Sequence, residues 1–383
     1  MIIESANRLN QTAEYYFSRK LKEVRALAAQ GKPIINMGIG SPDLPPPPHV
    51  IDTLTKALVD GPAHQYQSYK GLPELTEAMS DFYKQQYHVD LDAETEILPL
   101  MGSKEGIMHI SMAFLNPGDE VLIPNPGYPT YTSVTHLVEA EPVYYDLDAA
   151  HNWMPDFESL SQRDLSKVKL MWVNYPHMPT GAKASKADFE KLIAFAKANQ
   201  ILLVNDNPYS FILNENPQSI LAVEGAKEVA IELNSLSKTF NMSGWRVGML
   251  LGAPEYINTV LTVKSNMDSG MFYGIQKGAA AVLKEGKEWF QSLNEVYKSR
   301  RELMWQFAEI LGCSYDKDTA GMFIWAKLPE GAGDAEAFID DILINKSVFI
   351  TPGTIFGSQG AGYIRFSLCV TEEKIKEAIS RFK

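Results

Sequence analysis

The chain has 383 residues, 45% of them hydrophobic, with 47 acidic against 35 basic side chains and a formal charge of −12. This length suggests two domains and a core that needs no disulfide or metal, while the acidic balance argues against nucleic acid or an anionic membrane as the main partner. Cys313 and Cys369 form no CxxC pair, residues 1–10 carry Glu4 and Arg8 without an apolar run, and no stretch of about 18 apolar residues occurs, so the sequence reads as soluble and cytoplasmic.

Residues 12–30 read as an amphipathic helix closed by Gly31. Pro45 to Pro48, which cannot sit in a helix or a central strand, mark an extended crossing segment. Apolar runs at 97–101, 120–123, 170–173, 201–204, 229–233 and 247–251 predict strands, with helices such as 104–114 and 186–199 between them. That alternation predicts an α/β unit with a largely parallel sheet. A long polar-faced helix over 285–311 follows, and then a smaller α+β unit with strands at 322–327 and 363–368 and a helix at 334–344.

In such sheets ligands collect at the carboxyl ends of the strands. The residues just past the apolar runs are polar and reactive: Gly102-Ser103-Lys104, Asn125 to Tyr128, Asn174, Asn205-Asp206, and Asn234 to Lys238. Gly102-Ser103-Lys104 lies where a strand turns into a helix, which suits either a phosphate or a plain Ser cap. Lys238 combines a nucleophilic amine with the hydroxyls of Ser235 and Ser237 and with Arg246 eight residues on; its bland alternative is a solvated surface lysine. Asp206 ends an apolar strand and needs a cationic partner, either a protonated pyridine nitrogen or a structural arginine.

The run Ser235-Leu236-Ser237-Lys238-Thr239-Phe240, continuing to Gly244-Trp245-Arg246-Val247-Gly248, resembles the lysine signature of class I/II aminotransferases, pyridoxal-phosphate enzymes of fold type I. The segment from Asn36 to Leu44, Tyr66 to Gly71, Asn125 to Pro129, Pro179-Thr180-Gly181, Asp206 to Tyr209, Pro352-Gly353 and Arg365 follow in that family's order. Gly102 to Gly106 and Lys264 to Gly270 are most similar to the alanine and LL-diaminopimelate aminotransferase branch.

The resemblance implies an α/β fold with a mostly parallel seven-stranded sheet in a large pyridoxal-phosphate domain, 46–284, and a small α+β domain from 1–45 and 285–383. It implies a homodimer that exchanges an amino group between an L-amino acid and a 2-oxo acid through a pyridoxamine form. Lys238 would hold the cofactor as a Schiff base and move the proton, Asp206 would keep the pyridine nitrogen protonated, and Tyr209 would hydrogen-bond the phenolic oxygen, with Asn174 also at the cofactor. Tyr128 would stack on the ring, Ser103, Lys104, Ser235 and Arg246 would bind the phosphate, and Tyr66 would reach the phosphate of the neighbouring subunit. Arg365, helped by the Gly40 backbone, would clamp the substrate α-carboxylate. A C–S β-lyase or a decarboxylase on the same scaffold is the alternative, and a non-enzymatic regulator is disfavoured because no basic helix-turn-helix region precedes the fold.

One position departs from the family pattern. Met178 stands where the family has the asparagine that contacts the phenolic oxygen and the substrate carboxylate, and a thioether cannot donate a hydrogen bond. Asn174 and His177 are the nearby side chains that could replace that contact.

Overall fold

The computed structural model describes residues 3–10 and 16–383. After a 3-10 turn at Asn7–Leu9, the first α-helix among the described residues is α1 (Tyr16–Ala29), and residues 12–15 of the helix expected there lie outside the described residues. Strand β1 (Ile35–Asn36) leads into the prolines and α2 (Pro48–Ala57). Here the expectation for Pro45 to Pro48 is corrected, because Pro48 opens α2 at a position whose N–H would have no intrahelical partner in any residue.

After α3 (Pro73–Tyr87) come β2 (Ile97–Leu100), α4 (Ser103–Phe114), β3 (Glu120–Asn125), α5 (Pro129–Leu137) and β4 (Glu141–Asp146). The series continues through α6 (Phe157–Ser161), β5 (Val168–Val173), α7 (Lys186–Asn199), β6 (Leu202–Asp206), β7 (Ala230–Ser235), α8 (Leu236–Thr239) and β8 (Gly248–Leu251). These strands form a seven-stranded sheet in the order β2-β8-β7-β6-β5-β3-β4. Only β8 runs antiparallel to its neighbours, so the sheet is largely parallel as expected.

Alternate strand residues feed two cores. Leu98, Val121, Ile123, Leu170, Trp172, Val204, Ile231 and Leu233 face α4, α5 and α9 (Pro254–Lys264), where Ile107, Ile110, Tyr131 and Val260 cover them. Ile97, Leu122, Met171, Val173, Leu203 and Met249 face α3, α7 and α10 (Tyr273–Val282) on the other side. The sheet is thus buried on both faces, which is why its strands read as near-continuous apolar runs. Strand β4 escaped the sequence reading: it is a half-exposed edge strand with Pro142 inside it, a residue tolerated only where one side of the ladder is open.

The remaining chain packs beside this layer. Helix α11 (Lys287–Ile310) leads to β9 (Ser314–Tyr315), β10 (Phe323–Lys327), α12 (Ala335–Lys346), β11 (Val348–Phe349), β12 (Thr351–Pro352), β13 (Tyr363–Ser367) and α13 (Glu372–Ser380). A four-stranded sheet runs β12-β13-β10-β9, and β1 pairs with β11 in parallel. Val24, Ile35 and Met37 share one core with Met304, Phe307, Ile324, Phe366 and Ile375, so the first segment of the chain is held by the last.

Candidate active site

Strand β2 ends at Leu100, and α4 begins at Ser103 across Gly102, which has φ +89. A Cβ on Gly102 would lie 2.1 Å from Arg246 Nη2, so only glycine lets the guanidinium close on the amino end of α4. The first N–H groups of that helix have no intrahelical acceptor, and with Arg246 they make a cup for an anion. Arg246 itself has φ +57 and donates through Nη1 to the Ser243 carbonyl at 3.0 Å. From the end of β7, Ser235 Oγ accepts from the Ser237 N–H at 3.1 Å and donates to Ser237 Oγ at 2.9 Å, capping the single turn that carries Lys238. Lys104 stands beside the cup, its amine pushed below the ordinary range by burial and by Arg246.

Asp206 closes β6 and is 5% exposed. Its Oδ2 accepts from the Tyr131 hydroxyl at 2.9 Å, while Oδ1 has no partner among the described residues. Burial pushes this carboxyl up to about 6, opposed by the Tyr131 hydrogen bond and aided by the Glu232 charge. Tyr131 stacks on Trp172 at 4.8 Å and meets Tyr128 edge-on at 5.5 Å, which fixes the hydroxyl on the carboxylate. The Asn174 amide donates to the Asp206 carbonyl, and its Oδ1 accepts from the Met178 N–H at 2.7 Å. Burial raises the Tyr209 phenol well above its ordinary range, so it is a hydrogen-bond donor at every working pH.

Lys238 Nζ donates to the Gly40 carbonyl at 2.6 Å. Burial lowers the pKa of this amine, Cys369 opposes the shift, and Arg365 and Arg246 add to it, so the balance moves toward the neutral, nucleophilic form. Gly40 admits the approach of Phe323, whose Cζ would sit 2.3 Å from a Cβ there. Arg365 is 4% exposed, with its guanidinium carbon 3.9 Å from the centre of the Phe323 ring and 4.6 Å from that of Phe356. Its Nη2 donates to the Gly38 carbonyl at 2.9 Å and its Nη1 to Met178 Sδ at 3.3 Å. The two rings leave the guanidinium edge as its reactive face, which is the edge that pairs with a carboxylate.

These contacts give Met178 a position. It supplies a soft acceptor to Arg365 rather than a donor to a ligand, and a substrate carboxylate would replace that weak contact with a charged one. His177 does not take over: its Nδ1 bonds Thr180 Oγ1 at 2.8 Å, burial pushes its imidazole down to about 3 and keeps it neutral, and it stands outside the cavity that Arg365 lines. Arg365→Ala is expected to weaken amino-acid binding about 10- to 150-fold, the range of a charged hydrogen bond of about 1.5 to 3 kcal/mol. Met178→Asn adds a donor at the same place and is expected to shift the visible-spectrum pH titration of the holoenzyme. An unchanged titration together with unchanged substrate affinity would mean that position 178 does not touch the cofactor chemistry.

Of the residues expected at the site, Gly40, Ser103, Lys104, Tyr128, Asn174, Asp206, Tyr209, Ser235, Lys238, Arg246 and Arg365 all line one cavity of about 770 Å3. Tyr66 does not line it; the ring is 91% exposed on the surface of this chain. Tyr131 was missed, although it lies in the first turn of α5, three residues after Tyr128 at the helix cap. Phe323, Phe356, Leu21 and Arg25 also escaped notice, since nothing in their local sequence marks them. The cavity suits pyridoxal phosphate on its own terms: an anion cup, a buried carboxylate oxygen lacking a partner among the described residues, aromatic walls and an amine of lowered basicity meet in one place.

Comparison with known proteins agrees. Residues 32–382 match the family described as aminotransferase class I and II. The LL-diaminopimelate aminotransferase of Natranaerobius thermophilus is 41% identical over 99% of this chain and 98% of its own length. That of Nitratidesulfovibrio vulgaris is 38% identical over 98% and 97%. Among solved structures, apo BacF from Bacillus subtilis superposes with a TM-score of 0.95 at 37% identity, covering 99% of this chain and 97% of that one. The chain belongs to the class I and II aminotransferases, the pyridoxal-phosphate enzymes of fold type I.

Proposed function

We propose that the amino donor of this aminotransferase is a long amino acid of the diaminopimelate type, that a 2-oxo acid accepts the group, and that the working unit is a homodimer in the cytoplasm. Amino-group exchange and dependence on pyridoxal phosphate come with the family, and the relatives do not favour a lyase or decarboxylase. The donor class is supported by the relatives named as LL-diaminopimelate aminotransferases, which match this chain over nearly its whole length. Within the described residues no helix is long and apolar enough to cross a membrane.

Bound pyridoxal phosphate supplies an electron sink that acidifies the Cα–H bond of an amino acid joined to it. In this reading Lys238 attaches the cofactor and then holds or returns the Cα proton at Nζ, a role served by its lowered basicity. Asp206 Oδ1 takes the pyridine N–H, with Tyr131 orienting the carboxylate. Tyr209 donates to the phenolic oxygen and Tyr128 covers the ring, while Asn174 braces the Asp206 carbonyl and the Met178 N–H. Arg246, Ser235 and the N–H groups of Ser103 and Lys104 hold the phosphate, and Arg365 with Gly40 orients the α-carboxylate. The observation that carries these assignments is the partnerless Asp206 oxygen in the same cavity as the Lys238 amine. We assign 46–284 to the cofactor domain and 1–45 with 285–383 to the smaller one, on the shared core of Val24, Met37 and Phe307.

A half-reaction screen tests the donor. Mixing holoenzyme with single amino acids should bleach the visible cofactor absorption fastest with LL-diaminopimelate and release its 2-oxo acid. Pyruvate with ammonia and thiol, or carbon dioxide, as the products would identify a lyase or a decarboxylase.

The dimer is supported by an exposed apolar patch. Tyr66 and Tyr69 on one segment and Met267 and Phe272 on another are all exposed, and Lys264 Nζ ties the two segments through the Tyr69 carbonyl at 3.1 Å. In this reading Tyr66 reaches the phosphate of the neighbouring subunit. Light scattering at assay concentration is expected to give twice the chain mass, and a fully active monomer would contradict the assignment.

A further inference from the structure

Resting on the aminotransferase reading, we infer that Arg25 selects substrates whose side chain ends in a carboxylate. The cavity wall carries Arg25, Lys104, Lys238, Arg246 and Arg365 against a single acid, Asp206. Most of that positive charge has a task. Arg246 faces the anion cup, Arg365 would take the α-carboxylate, and Lys238 would be the attachment point of the cofactor. Asp206 is committed to the pyridine nitrogen and can neutralise none of the others.

Arg25 is left over. It is exposed, it forms no ion pair with any described acidic side chain, and no carbonyl of the described chain accepts from it. It sits on α1 one helical turn after Leu21, so the two side chains share a face. Both line the cavity that holds Lys238 and Arg365. Ile39, next to the Gly40 carbonyl that meets Lys238, lines it as well. A ligand leaving the reacting carbon therefore meets aliphatic surface at Ile39 and Leu21 and a guanidinium at Arg25. That sequence of surfaces fits a methylene chain with an anionic end.

A guanidinium without an ion-pair partner among the described residues, in a wall of net positive charge, raises the local concentration of anions and offers a two-pronged contact to a carboxylate. Lys104 is the other cation not fully accounted for by the cofactor, and its side chain is the competing candidate.

The test uses matched pairs. Holoenzyme is mixed with L-2-aminoadipate or L-norleucine, which differ only in a terminal carboxylate against a methyl, and the bleaching rate gives kcat/KM for each half-reaction. Calorimetry with the unreactive acids adipate and hexanoate gives the same comparison at equilibrium. The wild type is expected to favour the dicarboxylic member about tenfold or more in both measurements, as a partly exposed charged hydrogen bond allows. Arg25→Gln should bring both ratios close to one, and Arg25→Lys should restore part of each. Equal handling of the pair by the wild type would overturn the inference while leaving the aminotransferase reading intact. So would a ratio that survives Arg25→Gln and disappears in Lys104→Gln. If no amino acid of any kind bleached the cofactor, the reading beneath it would fall too.

Discussion

Replacing Lys238 with Ala is expected to cost at least about 10^4-fold in transamination, because proton transfer by a positioned group alone accounts for about 10^2- to 10^4-fold and the covalent attachment is lost with it. The geometry makes the loss hard to rescue from within. Lys238 Nζ is the amine that contacts the Gly40 carbonyl, and Lys104, the other lysine lining the cavity, stands at the anion cup beside Arg246. The same variant should still bind pyridoxal phosphate, since Gly102, Arg246 and the amino end of α4 are untouched. Equilibrium dialysis of Lys238→Ala with the cofactor separates the two effects. Retained binding with abolished turnover is the expected pair of results, and wild-type turnover in this variant would sink the mechanism.

How much of this was legible in the sequence depends on which force places a residue. The sheet was legible because strands buried on both faces must be apolar over their length, and chemistry then announces itself where polarity returns at the carboxyl ends. Gly102, Asp206 and Lys238 were found that way. The strands nevertheless run further than the apolar runs, to Asn125, Asp206 and Ser235, because the backbone ladder continues after the side chains turn polar. Tyr131 was illegible: an aromatic residue on a helix reads as core, and only the fold shows its hydroxyl meeting a carboxylate 75 positions away. Phe323 and Phe356 face Arg365 from two distant segments, a contact that no local pattern encodes. Arg25 is hidden for the opposite reason. On an amphipathic helix one arginine looks like any solvated charge, and only its neighbours across the cavity distinguish it.

Asp206→Asn is expected to act in opposite directions on the two forms of the protein. In the cofactor-free chain burial pushes the Asp206 carboxyl up to about 6, against about 3.9 in an unfolded chain. The folded state then holds a proton between those values that the unfolded state has released, so stability falls as pH rises from about 4 to 6 and stays lower above. At about 1.36 kcal/mol for each factor of ten in proton affinity, the charged form costs about 3 kcal/mol at neutral pH. Asparagine carries no such charge, so cofactor-free Asp206→Asn should be the more stable protein at pH 8, and the difference should vanish near pH 4. With pyridoxal phosphate bound the order reverses. The wild-type carboxylate gains a cationic partner at Oδ1, whereas the amide offers none, so the variant should gain less stability from the cofactor and lose about 10^2- to 10^3-fold in turnover, the usual cost of removing one oriented electrostatic group. Denaturant unfolding of both proteins, with and without cofactor at pH 4 and 8, reads all of these terms. If cofactor-free Asp206→Asn proved less stable than the wild type at pH 8, the carboxylate would already be balanced by a cation within the chain, and its assignment to the pyridine nitrogen would be wrong.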